Sequence, residues 1–323
     1  MKLLAPFIKR RNISHWVTNA HGAGPNRLNL AFEIFDHDTD EALTTILSVD
    51  LTTLAVDILH EAPGSGLDYQ YRDDWHGLVT LESLTEIVDG KVTTIAPKKK
   101  DRLYRVARSG STTYVGGERG DYLGIVMKVA GKKLVDVFDT AVLGDRGAGI
   151  TALAVGPSGT IYASGNIQDA DSVVLFRGKT KFSPTKLGLH EAYAICETPK
   201  GKILVGARDV AIVDGKVIAE FPHGKVLGTC MFGGTEYWLA HDYQLSLHTG
   251  TKKLARKARV KYLFVSYRTG HGAPEATLSS SADWLVLTNK DRLHLFDGKK
   301  WSQLAVQLNP KKLIKRLASP IKR

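Results

Sequence analysis

Pro199-Lys200-Gly201-Lys202-Ile203-Leu204-Val205-Gly206, followed by Val210-Ala211-Ile212-Val213-Asp214-Gly215-Lys216, is the stretch whose reading decides the fold. It reads as a turn, a short apolar strand, a polar break at Arg208-Asp209, a second strand and a tight turn. Asp-Gly between two β-branched runs is a strong hairpin signal, because a type I′ turn needs positive φ at both central residues. The runs are too short for helices, and glycine punctuates them.

The same Gly-Lys turn recurs on both sides of this stretch. It stands at Gly90-Lys91, Gly131-Lys132, Gly178-Lys179, Gly215-Lys216 and Gly298-Lys299, with a looser copy at Gly250-Thr251-Lys252. The intervals are 41, 47, 37, 35 and 48 residues. Each copy has the same lead-in, as in Pro157-Ser158-Gly159-Thr160-Ile161-Tyr162-Ala163-Ser164 before Val173-Val174-Leu175-Phe176. One more apolar stretch precedes it, such as Ile150–Val155, so each unit holds four strands, a to d. Four short strands in about 42 residues is the period of a propeller blade. The spacing therefore predicts an all-β chain folded as a single β-propeller of seven four-stranded blades over 1–308, with six as the alternative. The blades fall near 13–61, 66–97, 101–140, 148–184, 190–222, 225–258 and 260–307, and 309–323 is a basic C-terminal tail. Residues 2–8 are expected to add an edge strand to the last blade.

The run of turn, strand, loop, strand and Phe/Val-Asp-Gly-Lys resembles the propeller repeats in sensor portions of hybrid two-component regulators. It is also similar to kelch-type blades. The resemblance covers roughly 101–306. Where those blades carry tryptophan, this chain has Tyr162, Leu204 or Leu285. The resemblance implies a fold and carries over no sensing role.

Composition agrees with a turn-rich chain: 31 of 323 residues are glycine. Only Cys196 and Cys230 are present, so no disulfide framework is available. The start, Met1-Lys2-Leu3-Leu4-Ala5-Pro6-Phe7-Ile8, is too short an apolar run for a secretory signal. These two features place the protein in the cytoplasm as an expectation. The net charge is +11. Basic residues cluster at Lys98–Arg108, Lys252–Lys261 and in the tail, which favours acidic partners.

In a propeller the b–c and d–a loops share one face, and loops on a rigid scaffold carry function. The candidate partner-binding residues are accordingly Arg119, Asn166, Arg208, His241 and Lys290 in b–c loops. Asp145, Arg146, His190, Glu191, His223, Arg268 and His271 join them from d–a loops. The stretch Arg268–Glu275 departs most from the repeat.

Asp36-His37-Asp38-Thr39-Asp40-Glu41 has the alternating carboxylates of a calcium loop. Glu41 stands where glycine is required, and Leu47 where the bidentate acid belongs, so the segment reads as a solvated b–c loop. No metal, cofactor or catalytic residue is assigned, and no nucleophile or glycine-rich phosphate motif is present. The leading expectation is a non-enzymatic binding module that docks a partner protein with an acidic surface, of which a toxin-neutralising immunity protein is one kind. A nucleic-acid-binding propeller is the second reading. A lactonase-like metal hydrolase is the third, with Asp101, Asp145, Asn166 and Glu191 around the central channel. No membrane partner is expected.

Overall fold

The computed structural model describes residues 3–98, 101–120, 123–143, 147–167, 172–178, 183–186, 192–242, 244–255, 276–309 and 311–317. A short helix, α1 (Leu4–Ile8), opens the chain. The first sheet is β1 (Ile13–Gly22), β2 (Arg27–Asp36), β3 (Glu41–Asp50) and β4 (Val56–Pro63), paired in that order. The second is β5 (Gly66–Arg72), β6 (Trp75–Thr80), β7 (Ser83–Val88) and β8 (Lys91–Ile95). The third is β9 (Asp101–Ser109), β10 (Thr112–Arg119), β11 (Leu123–Ala130) and β12 (Lys133–Asp139). The fourth is β13 (Gly147–Val155), β14 (Ile161–Ile167), β15 (Ser172–Gly178) and β16 (Ser183–Lys186). The fifth has five strands, β17 (Ala192–Glu197), β18 (Ile203–Val213), β19 (Lys216–Phe232), β20 (Thr235–Asp242) and β21 (Gln244–Thr249), followed by α2 (Thr251–Ala255). The sixth is β22 (Ala276–Ser280), β23 (Leu285–Asn289), β24 (Arg292–Phe296), β25 (Trp301–Val306) and β26 (Ile314–Leu317).

These strands do not make seven separate four-stranded blades, nor six regular ones. The residues expected as two blades, 190–222 and 225–258, join into the one five-stranded sheet. The reason lies at its polar breaks. β18 turns back on itself at Asp209 (φ 65°), so that its two ends meet and Asp214 N donates to Ile203 O at 2.9 Å. Pairing then continues sideways, with Arg208 opposite Lys225 and Lys225 opposite His241. Backbone groups that loops would leave to water are thus paired across the sheet.

The chain divides into two compact units. One holds Met1–Leu81, Glu86–Val92 and Ser266–Arg323; the other holds Glu82–Thr85 and Thr93–Val265. In the first, β2 shows the rule that builds the core. Leu28, Leu30, Phe32 and Ile34 alternate with Asn29, Ala31 and Glu33, and a strand sends alternate residues to opposite faces. The Leu/Phe face packs with Val17, Leu43, Leu47 and Val49, and with Val286, Leu293, Leu295 and Leu304 of the sixth sheet. Burying each such side chain contributes about 1.5–3 kcal/mol. The opposite face meets Tyr69 and Leu78 of the second sheet through Ala31, Ile46 and Ala62.

Two terminal expectations are corrected. Residues 4–8 form a helix rather than an edge strand, since Leu4 anchors wholly inside the first core and the Glu61 carboxylate accepts Leu3 N and Leu4 N. Within the expected tail, Ile314–Leu317 is the fifth strand of the last sheet, because Leu313 and Ile314 are buried in the same core.

In the second unit, cores form around Ile195, Val205, Val210 and Ile212, and around Leu204, Phe221, Val226 and Trp238. Cys196 packs at the edge of the latter, and Cys230 is buried. Burial pushes the Cys196 thiol up to about 11, which keeps it protonated and unreactive. Among the described residues, no helix is long and apolar enough to cross a membrane.

Candidate docking site

Three basic side chains come together in the five-stranded sheet. Directly opposed residues of an antiparallel pair project from the same face. The register Arg208–Lys225–His241 therefore sets a guanidinium, an ammonium and an imidazole side by side on β18, β19 and β20. Arg208 is exposed, while Lys225 and His241 are half-buried. The Lys225 ammonium lies 5.6 Å from the centroid of the Tyr193 ring, whose π-face attracts it. One step along each strand, Ala207, Val226 and Ala240 are fully buried. Among the described residues, neither Arg208 nor Lys225 has an ion-pair partner. Sequence reasoning named Arg208 and His241 and missed Lys225. Its signal was Pro222-His223-Gly224-Lys225, a basic segment at a d–a junction, but only the pairing register shows which face it joins.

Arg119 takes another role. Its guanidinium donates to both Asp101 oxygens, at 2.8 and 2.9 Å, and to both Asp136 oxygens, each at 2.9 Å. These bonds, Asp101 first and Asp136 next, hold its pKa above the ordinary guanidinium value. Arg119 in turn holds the Asp136 carboxyl below the usual range. A guanidinium occupied by two carboxylates pins β9, β10 and β12 together instead of facing a partner. It also occupies Asp101, one of the acids suggested for a metal-bearing channel.

Lys290 sits in the turn between β23 and β24 with φ 54°; its carbonyl accepts Val17 N at 2.7 Å. It lies in the first unit. Asn166 lies in β14, paired with Val173, and His223 lies within β19. Asp145, Arg146, His190, Glu191, Arg268 and His271 lie outside the described residues.

The calcium-like segment is filled by a cation of the chain itself. Arg10 Nη1 donates to Asp36 at 2.8 Å and to Glu41 at 2.6 Å, and Asn12 donates to Asp38 at 2.9 Å. The Asp38 N–H, and after it Arg10, hold the Asp36 carboxyl below its ordinary value. The basic run at 98–108 is likewise tied inward. Arg105 Nε donates to Thr151 O, Arg108 Nε to Gly110 O, and Arg102 pairs with Glu118.

Sequence reasoning also missed a buried polar cluster in the first unit. His21 Nε2 and Asn19 Nδ2 both donate to Tyr69 O, at 3.1 and 3.0 Å. The Tyr69 hydroxyl shares a 2.9 Å hydrogen bond with His76 Nδ1. Burial pulls both histidines down to about 4 and pushes the Tyr69 hydroxyl well up. Nearby on the same face of β2, Glu33 accepts Ser65 Oγ and Gly66 N, and burial raises its carboxyl to about 7. This cluster joins sheets; it offers no open surface, since Tyr69 is fully buried.

No protein-family model matches the chain, and no characterised protein matches it in sequence. Its fold is similar to many solved structures, among them the following. The extracellular domain of a hybrid two-component system protein from B. thetaiotaomicron matches with TM-score 0.57 and 9% identity, over 96% of this chain and 47% of that one. An acylaminoacyl peptidase from Pyrococcus horikoshii matches with TM-score 0.55 and 8% identity, over 90% and 52%. The β-propeller domain of the Trilobed protease from Pyrococcus furiosus matches with TM-score 0.55 and 8% identity, over 90% and 97%. The chain thus spans about half the length of the first two. At such identities the likeness shows the fold alone: the chain is a β-propeller, as the repeat and its resemblance to sensor propellers predict.

Proposed function

We propose that this propeller is a binding module that docks a partner protein through the Arg208–Lys225–His241 row. The observation that supports this reading is the row itself. Arg208 and Lys225, which have no ion-pair partner among the described residues, stand side by side, and an acidic partner surface would supply counter-charges. The inward ties of Arg102, Arg105, Arg108 and Arg119 weaken the reading of a broad nucleic-acid surface on those residues. Neutralising a toxin in the cytoplasm is the specific role we favour within the docking class. It calls for one tight partner, and a pre-formed charged face on a rigid scaffold suits that.

The test is co-purification from the source cells. The wild-type chain should retain one stoichiometric partner, and the doubly reversed Arg208→Glu/Lys225→Glu variant should lose it. Retention of the same partner by the folded variant would remove the row from the docking surface. A partner whose toxicity is unaffected by the wild-type chain would end the immunity reading while leaving docking in place.

A further inference from the structure

We infer that the five-stranded sheet carries a second site, independent of the docking row, which takes a small phosphorylated polyol. The turn before β18, the start of β20 and the junction of β21 with α2 enclose an open cleft of about 470 Å³. All of these elements belong to the second unit. Small ligands occupy clefts of ~300–1,000 Å³. One water takes only ~30 Å³ of liquid, so the cleft has room for more than a bare oxyanion. Lys202 lines it from the turn, Thr235 and Glu236 from β20, and Thr249, Thr251 and Lys252 from β21 and α2. Glu236 and His241 lie five residues apart on β20, so roughly 17 Å of strand separates the cleft from the Arg208 row.

The charges in the lining select the ligand. Lys202 and Lys252 are exposed, and among the described residues neither has an ion-pair partner. The acid of the lining is engaged on one side: Glu236 Oε2 accepts the Thr251 N–H at 3.0 Å and the Thr251 hydroxyl as well. A phosphomonoester carries about −1.5 to −2 charge at pH 7, which two ammonium groups match. An ammonium is a point charge with three donors and meets a tetrahedral phosphate from any side. A planar carboxylate is matched by the guanidinium fork instead, and the lining holds no arginine. Thr235 and Thr249 bring further hydroxyl donors. No aromatic ring lines the cleft, so a nucleobase would find nothing to stack on. Glu236 Oε1 receives no donor among the described residues and is left to accept from the hydroxyls of a polyol. The frame is already set. Lys202 N donates to Thr198 Oγ1 at 3.0 Å, and Gly250 N donates to Glu236 O at 2.8 Å, which lowers the cost of ordering the backbone on binding.

The experiment is isothermal titration calorimetry on the intact chain. The probes are glycerol 1-phosphate, ribose 5-phosphate and glucose 6-phosphate, beside inorganic phosphate, glucose and gluconate. At least one ester should bind about tenfold more tightly than inorganic phosphate, with glucose and gluconate weaker still, and rising salt should weaken it. The Lys202→Gln/Lys252→Gln variant should lose about tenfold or more in affinity for that ester. Arg208→Gln/Lys225→Gln should bind it as the wild type does. Glu236→Gln keeps an oxygen for Thr251 and should bring the ester down to the affinity of inorganic phosphate. Thermal melting confirms that each variant is folded; both lysines are exposed, so their replacement leaves the core intact. The inference is overturned if none of the three esters binds, if inorganic phosphate or gluconate binds as tightly as the best of them, or if the lysine variant binds that ester unchanged. Loss of binding in the Arg208/Lys225 variant would also overturn it, because the docking row would then be what reads phosphate.

Discussion

The Asp101 side chain keeps 1% of its surface exposed, and its charge is answered by Arg119. Removing one member of a buried pair strands the other charge, which costs more than the pair contributes. Arg119→Ala is therefore expected to destabilise the chain by about 3 kcal/mol in urea unfolding. Adding Asp101→Asn to that variant should recover much of the loss, since an amide tolerates burial better than a lone carboxylate. A partner-contact role for Arg119 predicts the opposite: lost binding with unchanged stability. Gly117, two residues earlier, is constrained by space. A Cβ there would lie 2.0 Å from the Arg102 carbonyl oxygen, at the point where the β9–β10 register shifts. Because the obstruction is backbone, it cannot swing aside as a side chain would. Gly117→Ala should cost about 2 kcal/mol by overpacking, read as a lower urea midpoint with an unchanged slope.

At the scale of elements, β26 invites the sharpest comparison of side chains. Ile314 is 1% exposed and lies in the core with Leu304 and Val306, while Lys315 is exposed and the Arg316 guanidinium donates to Leu51 O. Ile314→Ala should cost about 2–4 kcal/mol, and Lys315→Ala next to nothing, by thermal unfolding. Equal, small effects would mean that the strand adds little to its sheet. Asn309-Pro310 is a turn signal before β26, but the four residues of β26 are half basic, so composition suggested a tail. Its partner strand decides its state. The hairpins were legible for the opposite reason, since their chemistry is local. Asp89 and Gly90 take φ 49° and 72°, and Asp214 and Gly215 take 49° and 79°, as a type I′ turn requires. The alternation in β2 was equally plain. The joining of two expected blades into one sheet was not, because it depends on Arg208 meeting Lys225 and Lys225 meeting His241 across separate strands. Most of the candidate docking site was hidden for that reason. A list of loop residues contains Arg208 and His241 but not Lys225, and does not say which of them share a row.

At the scale of the molecule, buried ionisable groups in the first unit set how stability responds to acid. Burial pulls His21, His76 and His294 down to about 4 from an ordinary 6.5. The folded chain therefore prefers them neutral; their contribution is complete above pH ~6.5 and is lost as pH falls toward 4. Glu33 runs the other way. Burial raises it to about 7 from 4.5, so its contribution is complete below pH ~4.5 and is lost as pH rises toward 7. Between pH 7 and 5 the three histidines oppose one carboxyl, and one pKa unit corresponds to ~1.4 kcal/mol. The balance is a net loss of roughly 4 kcal/mol on acidification. Glu33→Gln should raise stability at pH 7 and steepen the loss below it. His294 gives the cleaner test. It is 1% exposed, and neither ring nitrogen has a hydrogen-bond partner among the described residues. Leucine would fill much of the same space without polar atoms to desolvate. His294→Leu should hold or gain stability at pH 7 and remove about a third of the acid-induced loss contributed by the histidines. Urea unfolding of both proteins at pH 7 and pH 5 decides it. An unchanged pH dependence would mean that the His294 ring keeps an ordinary affinity for its proton, and the opposing effects would then reduce to His21, His76 and Glu33.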